Sequence, residues 1–252
     1  MSLKKIVVYT ALFGEYCGII EQPKIKGVDY ICYTDQDISS NSWRVIKVTP
    51  PVKDDNTRSN RYYKILPHKH LKEYDISIYI DANYLIIGDI ISLIKNVFQN
   101  NLFTCFNHNL ITGDARNCIY KELEHILSLN KQKGVFKDHT EIMKKQIEKY
   151  RNEGYPKNNG LIRGSVLIRQ HNHINVIAFM ERWWEELNKG SRRDQLSCNY
   201  AAWKTNFTIN YLPGNGVKGN KWFFKLGSNR KNFTKKLIEY KLKRLLGIYK
   251  FS

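Results

Sequence analysis

Asp81 and Asn83 stand two residues apart in the most apolar stretch of the chain, Ile76-Ser77-Ile78-Tyr79-Ile80-Asp81-Ala82-Asn83-Tyr84-Leu85-Ile86-Ile87. An ionised carboxylate in such surroundings is costly unless a cation or strong donors meet it. Oxygen-bearing side chains at i and i+2 of an extended segment share one side, which suits a hard divalent ion bridging phosphates. The same residues also suit an Asx-type turn that caps a strand, and on this segment alone the two readings stand level. Arg58, Arg61 and Lys64 fall on neighbouring positions of a helix, where guanidinium groups could grip a diphosphate through forked hydrogen bonds. A solvated helix face is the ordinary alternative. In Asn158-Asn159-Gly160-Leu161, amides and a glycine admit a ligand close to the backbone, or form a plain turn. Asp194, in Arg193-Asp194-Gln195-Leu196-Ser197, either caps a helix or does chemistry. His171-Asn172-His173 lacks the surrounding spacing of a ββα-metal site, and His68-Lys69-His70, after Pro67 near a helix end, reads as surface or cap rather than as ligands.

Holding these residues in place requires a particular order of elements. Strand patterns cover Lys5–Thr10, Val28–Thr34, Trp43–Val48, the run ending near Ile87, and Gly164–Gln170. Helical patterns cover Asn56–Leu71 (broken near Pro67), Ile90–Asn100, Asp114–Leu129, Asp138–Glu153, Asn175–Asn188, Arg193–Trp203 and Phe233–Leu246. This order predicts an α/β fold with a mostly parallel central sheet, and open sheets of that kind bind ligands at their carboxyl edge. Asp81 falls at such an edge. The division expected is a main domain over 1–212, then a glycine-containing loop and a basic helical tail over 213–252.

Hydrophobic residues at 42% and aromatics at 13% supply an ample core and exclude disorder as the default. No window approaches the roughly 18 apolar residues of a membrane span, and the first residues lack a signal-peptide pattern. Cys17, Cys32, Cys105, Cys118 and Cys198 are widely spaced with no C-x-x-C pair, which favours reduced, buried thiols and a cytoplasmic setting. The net charge is +18, and Lys218–Ser252 carries eleven Lys/Arg against Glu239 alone. Such a segment seeks polyanions: nucleic acid, anionic lipid or anionic glycan. In its last helix Ile238, Leu242, Leu245 and Tyr249 fall near one stripe among lysines. That stripe either lies on an anionic membrane surface, making the chain peripheral on the inner face, or packs on the domain.

The ordered series Tyr9–Tyr16, Thr57-Arg58 with Arg61 and Lys64, Pro67-His68, Ser77–Asn83, His108, Arg116, Glu122, Gly160-Leu161, Trp183-Trp184 and Arg193–Ser197 resembles a known family. It is the glycosyltransferase-like family long catalogued as domain of unknown function 616, related to the GT-A family 8 transferases. The resemblance spans roughly Ile6 to Lys204. It implies a GT-A nucleotide-binding sandwich, a nucleotide-sugar donor (a UDP-sugar foremost) and a glycan or lipid-linked acceptor of surface-polysaccharide assembly. It sets Thr10, Ala11 and Tyr16 near base and ribose, Asn159 and Gly160 at the sugar side, and Asp194 with Gln195 beside the transferred sugar. Asp81 and Asn83 then stand where these enzymes carry an Asp-x-Asp motif for Mn²⁺ or Mg²⁺. Two departures count against metal dependence: Asn83 is a neutral ligand, and Pro213–Trp222 has glycines and lysines but no histidine. Lys218, Lys221, Arg58 and Arg61 would then supply the positive charge. Two other readings compete: a nucleic-acid-binding protein, which lacks any recognisable module here, and a catalytically inactive transferase-like scaffold.

Overall fold

Valine, isoleucine and tyrosine dominate the strands, as expected for a sheet covered on both faces. The computed structural model describes residues 4–15, 18–97, 101–217, 220–227 and 233–248. In chain order the strands are β1 (Ile6–Leu12), β2 (Val28–Thr34), β3 (Arg44–Lys47), β4 (Ile76–Ile80), β5 (Tyr84–Ile86), β6 (Phe103–Asn107), β7 (Ile162–Arg169), β8 (Asn210–Leu212) and β9 (Phe223–Lys225). The helices are α1 (Asn56–Ile65), α2 (Ile90–Val97), α3 (Ile119–Lys133), α4 (Thr140–Asn152), α5 (Ile174–Lys189), α6 (Asp194–Lys204) and α7 (Thr234–Leu245).

Seven strands form one sheet in the order β3-β2-β1-β4-β7-β6-β8, and β5 pairs with β9 in a separate ribbon. β1 runs parallel to β2 and β4, β2 to β3, and β6 to β8, while β7 is antiparallel to both β4 and β6. β7 is therefore the reversed strand, and its first residues lie at the edge where the others end. The ends of β1, β4 and β6, the turn entering β7 and the chain after β8 thus share one edge.

Alternation along the strands divides the core. Val7, Tyr9, Ala11 and Tyr79 face a layer with Phe179 and Trp183 of α5, whereas Val8, Ile78 and Ile80 face Leu93 and Ile94 of α2. Helix α6 is buried from Asp194 to Ala202 and contacts α3, α4, α5 and β7. A helix buried all round can carry polar groups only where each finds a partner. Glu186 shows the rule: its carboxylate accepts from Tyr150 at 2.9 Å, Lys149 at 3.0 Å and Arg182 at 2.5 Å, tying α5 to α4.

The structure departs from the sequence reading at the decisive segment. The run from Ile76 to Ile87 is not one strand: β4 ends at Ile80, Asp81-Ala82-Asn83 turns with the Tyr84 N–H on the Asp81 carbonyl at 2.9 Å, and β5 leaves for the ribbon. β6, β8 and β9 were not expected, because strands of three to five residues carry too little periodicity to be read, and β5 was expected only as the continuation of β4. Helix α3 begins at Ile119 rather than Asp114, since Asp114 is bonded to Arg116 ahead of it. Gly88 marks where the chain beyond β5 meets the segment entering β9: an added Cβ there would lie 2.1 Å from the Lys221 carbonyl oxygen. A Gly88→Ala variant should lose about 1–3 kcal/mol through this overlap, read as a lower urea midpoint at unchanged slope.

Candidate functional site

The site begins with α1, whose first turn is capped by the Asp55 carboxylate on the Arg58 N–H at 2.8 Å. Three turns of helix then bring Asn60, Arg61 and Lys64 against the ends of β1 and β4. Asn60 donates to the Ala11 carbonyl at 2.5 Å, and the Tyr9 hydroxyl donates to the Lys64 carbonyl at 2.9 Å. The Lys64 ammonium is buried and lies 2.5 Å from Asp194 Oδ2, while Arg61 Nε is 3.3 Å from the same oxygen. Gly164 of β7 makes room for the pair, since a Cβ there would sit 3.1 Å from Lys64 Nζ and 3.3 Å from Asp194 Oδ2. Burial works to raise the Asp194 carboxyl, but Arg61, Lys64 and Arg193 outweigh it and hold it well below the usual carboxylate range. Burial draws the Lys64 ammonium below its ordinary value against the pull of Asp194.

One aromatic ring joins this pair to the sheet edge. Lys64 Nζ lies over the Tyr79 ring, 5.1 Å from its centroid, and the Tyr79 hydroxyl donates to Asp81 Oδ1 at 3.1 Å. Asp81 is half-buried at the carboxyl end of β4, with its N–H on the Ser165 carbonyl at 2.9 Å. Three cations feel its charge: Lys64 from α1, Arg163 from β7 and Lys225 from β9. None of the three closes on it as an ion pair, and among the described residues Arg163 and Lys225 have no ion-pair partner at all. Burial pulls Lys225 below the ordinary lysine value, and neighbouring Arg163 adds to the fall. For Arg163, burial is opposed and overcome by Tyr84 and Asp81, so its guanidinium stays charged. The arrangement sets one carboxylate among several cations without an ion pair to any of them, the electrostatics of a site that receives a polyanion.

Each residue singled out in the sequence has a definite place. Thr10 and Ala11 lie near the end of β1, whose register with β4 (Tyr9 opposite Tyr79) continues to set Ala11 level with Asp81, and the Thr10 hydroxyl is fully buried and without a hydrogen-bond partner. Gly160 has φ +85°, and its missing side chain leaves space for Tyr211 Oη and Asn199 Nδ2, 2.8 and 2.9 Å from where a Cβ would be. Asn159 is exposed beside it at the edge where β7 begins. Tyr16 and Lys218 lie outside the described residues, as does Cys17. Cys32, Cys105, Cys118 and Cys198 are buried free thiols.

Three residues have tasks other than those expected. Arg58 is held by Asp55 Oδ2 and the Gly190 carbonyl, each at 2.6 Å, so its fork clamps α1 to the end of α5 instead of facing the sheet edge. Asp194 is neither a helix cap, since Arg193 holds that position, nor an open carboxylate, because two cations neutralise it. Gln195 donates to the Ile162 carbonyl and accepts from Arg193, both at 2.9 Å, which fixes α6 against β7. The histidine segments are structural: His171 bonds the Leu71 carbonyl at 2.8 Å, His173 caps α5, and His68 meets Glu181 at 2.9 Å.

Arg163 and Lys225 were missed. Arg163 sits in a strand of mixed polarity, and Lys225 is one lysine among many until β9 is paired with β5. Tyr84 lying opposite Lys225 in that ribbon is the signal, and it exists only in three dimensions. A second network was visible only as a resemblance: Arg116 donates to Glu122 at 2.7 Å and approaches His108 Nε2 at 3.2 Å, while Arg193 lies 3.6 Å from Glu122. Burial lowers the His108 imidazole to about 4, so it stands neutral as the acceptor from Arg116.

Among the described residues, no cluster of three or more His, Cys, Asp or Glu could enclose a metal. Asn83 gives its amide N–H to the Gly227 carbonyl, and its Oδ1 is left buried without a partner. The orphaned Asn83 oxygen and the half-buried Asp81 carboxylate are the oxygens of this turn that could serve an ion such as Mg²⁺ or Mn²⁺, which takes few protein ligands and the rest from phosphate and water, although the turn no longer sets the two side chains on one side as an extended segment would.

The fold is an α/β domain with a mostly parallel central sheet, and comparison with known proteins defines it further. A family model described as the TOD1/MUCI70 glycosyltransferase-like domain matches residues 28–215, and the chain belongs to that family. It is 24% identical over 181 residues to a probable hexosyltransferase MUCI70 of Arabidopsis thaliana, covering 66% of this chain and 29% of that protein's length. Among solved structures it resembles the apo form of the bifunctional glycosyltransferase WbbM, with TM-score 0.48 and 11% identity over 86% of this chain and 40% of the other. It also resembles the galactosyltransferase LgtC in complex with donor and acceptor sugar analogues, with TM-score 0.43 and 12% identity over 82% and 72% of the two chains.

The buried ion pair yields a direct test. Asp194→Asn leaves the Lys64 ammonium uncompensated and should cost about 3–5 kcal/mol, whereas adding Lys64→Met should recover a large part of that loss. Because folding lowers the Asp194 pKa, its contribution is complete above the unfolded value of about 3.9 and drains away as pH falls further. The acid limb of a stability–pH curve should therefore flatten in Asp194→Asn; an unchanged limb would show that the pair is not ionised.

Proposed function

We propose that this domain is a glycosyltransferase that moves a hexose from a nucleotide-sugar, foremost a UDP-sugar, to a glycan or lipid-linked acceptor. The observation that carries this reading is Asp81, half-buried at the carboxyl edge of the sheet on the Tyr79 hydroxyl, which Lys64, Arg163 and Lys225 sense without any of them forming an ion pair with it. A diphosphate placed beside Asp81 gives Arg163 and Lys225 their counter-charge. Membership of a glycosyltransferase-like family supports the same reaction class.

In the reaction, the bond from the anomeric carbon to the diphosphate oxygen breaks, and a bond to the acceptor oxygen forms. The electron pair departs with the diphosphate, and the acceptor proton leaves to solvent or a carboxylate. Arg163 and Lys225 stabilise the charge that grows on the leaving group. A bound Mg²⁺ or Mn²⁺, held by Asp81 and Asn83, would add Lewis-acid neutralisation of the same phosphates. Lys64 serves indirectly: locked to Asp194, it holds Tyr79 and through it the Asp81 carboxylate. Asn159 and Gly160 border the sugar side at the start of β7, and Thr10 and Ala11 close the end of β1. Asp194 and Gln195 act as positioning residues behind the reacting sugar.

Nucleotide binding by calorimetry checks this. UDP should bind wild type, with Asp81→Ala lowering affinity and Arg163→Gln with Lys225→Gln lowering it by roughly ten- to a hundredfold, while uridine binding stays level. Turnover of a UDP-sugar should fall about 10²–10³-fold in the double variant. UDP affinity unchanged by all three substitutions would sink the assignment of the site, and wild type that never breaks the donor bond would be a scaffold.

A further inference from the structure

Helix α7 is held to the protein by one face and bare on the opposite one. Phe233, Leu237 and Tyr240 turn inward against Leu85, Phe224 and Leu226, with the Tyr240 ring 4.6 Å from that of Phe224. At about 100° per residue, these three share one direction and Ile238, Leu242 and Leu245 point the other way. Those outward side chains are 54%, 56% and 85% exposed, and Leu246 and Ile248 extend the strip at 72% and 60%. The expectation that the stripe packs on the domain is therefore wrong: a different face does the packing. Contiguous apolar surface of this kind marks a place of contact.

The flanking charges say with what. Lys235 and Lys241 border the stripe on its two sides, and α7 holds Lys235, Lys236, Lys241, Lys243 and Arg244 against Glu239 alone. Glu239 is engaged by Lys236 at 3.0 Å and Lys243 at 2.5 Å, which leaves the border lysines outside those pairs. A second copy of the chain would bring the same basic helix against itself, in a protein of net charge +18. An apolar stripe between cations complements a surface that is apolar inside and anionic outside.

We propose that α7 docks this protein on an anionic lipid bilayer, with Ile238, Leu242 and Leu245 entering the acyl boundary and Lys235 and Lys241 reaching headgroup phosphates. The inner face of α7 packs on Phe224, and the next residue is Lys225 of the candidate site. Leu226 donates its N–H to the Asn83 carbonyl at 3.0 Å. A single short strand thus lies between the lipid-facing helix and the Asp81 turn, which brings the site to where a lipid-linked acceptor is anchored.

The experiment is co-sedimentation of the full chain with vesicles of phosphatidylcholine alone or mixed equally with phosphatidylglycerol, without any donor sugar. Binding should require the anionic lipid and weaken with added salt. Leu242→Gln with Leu245→Gln, and separately Lys235→Glu with Lys241→Glu, should each weaken it by roughly tenfold or more. All four positions are on the outer face, so thermal midpoints should stay at the wild-type value. Equal binding by wild type and both variants overturns the proposal, as does failure to bind anionic vesicles. A dimer in sedimentation velocity that is lost in Leu242→Gln with Leu245→Gln would assign the face to a second copy instead. Vesicle binding is read without nucleotide, so its failure and failure of the transferase reading are separate results.

Discussion

The buried contact between Lys64 and Asp194 is the constraint around which the rest of the site is arranged. It joins α1 to the first residue of α6 across a strand whose glycine leaves space for it. Removing two charges from water is expensive, and the cost is met here only because Arg61 shares the carboxylate and the Tyr79 ring lies beneath the ammonium. Trp183 adds to the same junction, donating its indole N–H to the Asp194 carbonyl at 3.0 Å. The backbone of α6 and its first carboxylate are thus fixed from two sides, and Asp81 inherits that rigidity through a single hydroxyl. An ion pair used in this way serves position more than stability, since apolar residues of the same volume would hold the helices together equally well.

Much of this was legible in the residues. The apolar run with an embedded carboxylate pointed to the carboxyl end of a central strand, where the structure has Asp81. What could not be read was where that run stops being a strand. Nothing in Asp81-Ala82-Asn83 distinguishes an extended segment from a turn, and the decision is made by β9, whose residues lie far along the chain and pair with β5. The same limit hid Lys225. Arg58 illustrates the reverse error: a guanidinium at helical spacing from Arg61 looked available, but its fork matches a carboxylate and a helix-end carbonyl close by. Spacing reports which residues share a face, whereas the choice between protein partner and ligand depends on what packs against that face.

Charge is distributed in two tiers. Inside, cations are matched closely: Glu186 takes three donors from α4 and α5, Glu122 takes Arg116, and Asp194 takes Lys64 and Arg61. Outside, the excess of basic residues is left to solvent and concentrated toward the chain's end. Arg163 and Lys225 belong to neither tier, being partly buried yet unmatched. That exception is why the proposed site is drawn around them.

The ribbon of β5 and β9 also bears on the order in which the molecule is made. Leu85 pairs with Phe224, a separation of 139 residues (224 minus 85). Contacts so remote in sequence form slowly, since a long loop must close before they are rewarded. On the ribosome the central sheet through β8 can assemble while β9 is still unsynthesised. The Asp81 turn then waits, complete in its own residues but lacking Lys225 and the backbone that grips Asn83. A nascent chain that has not yet reached β9 would therefore hold the central sheet with this turn unfinished, and Lys225 would join it only when the ribbon pairs.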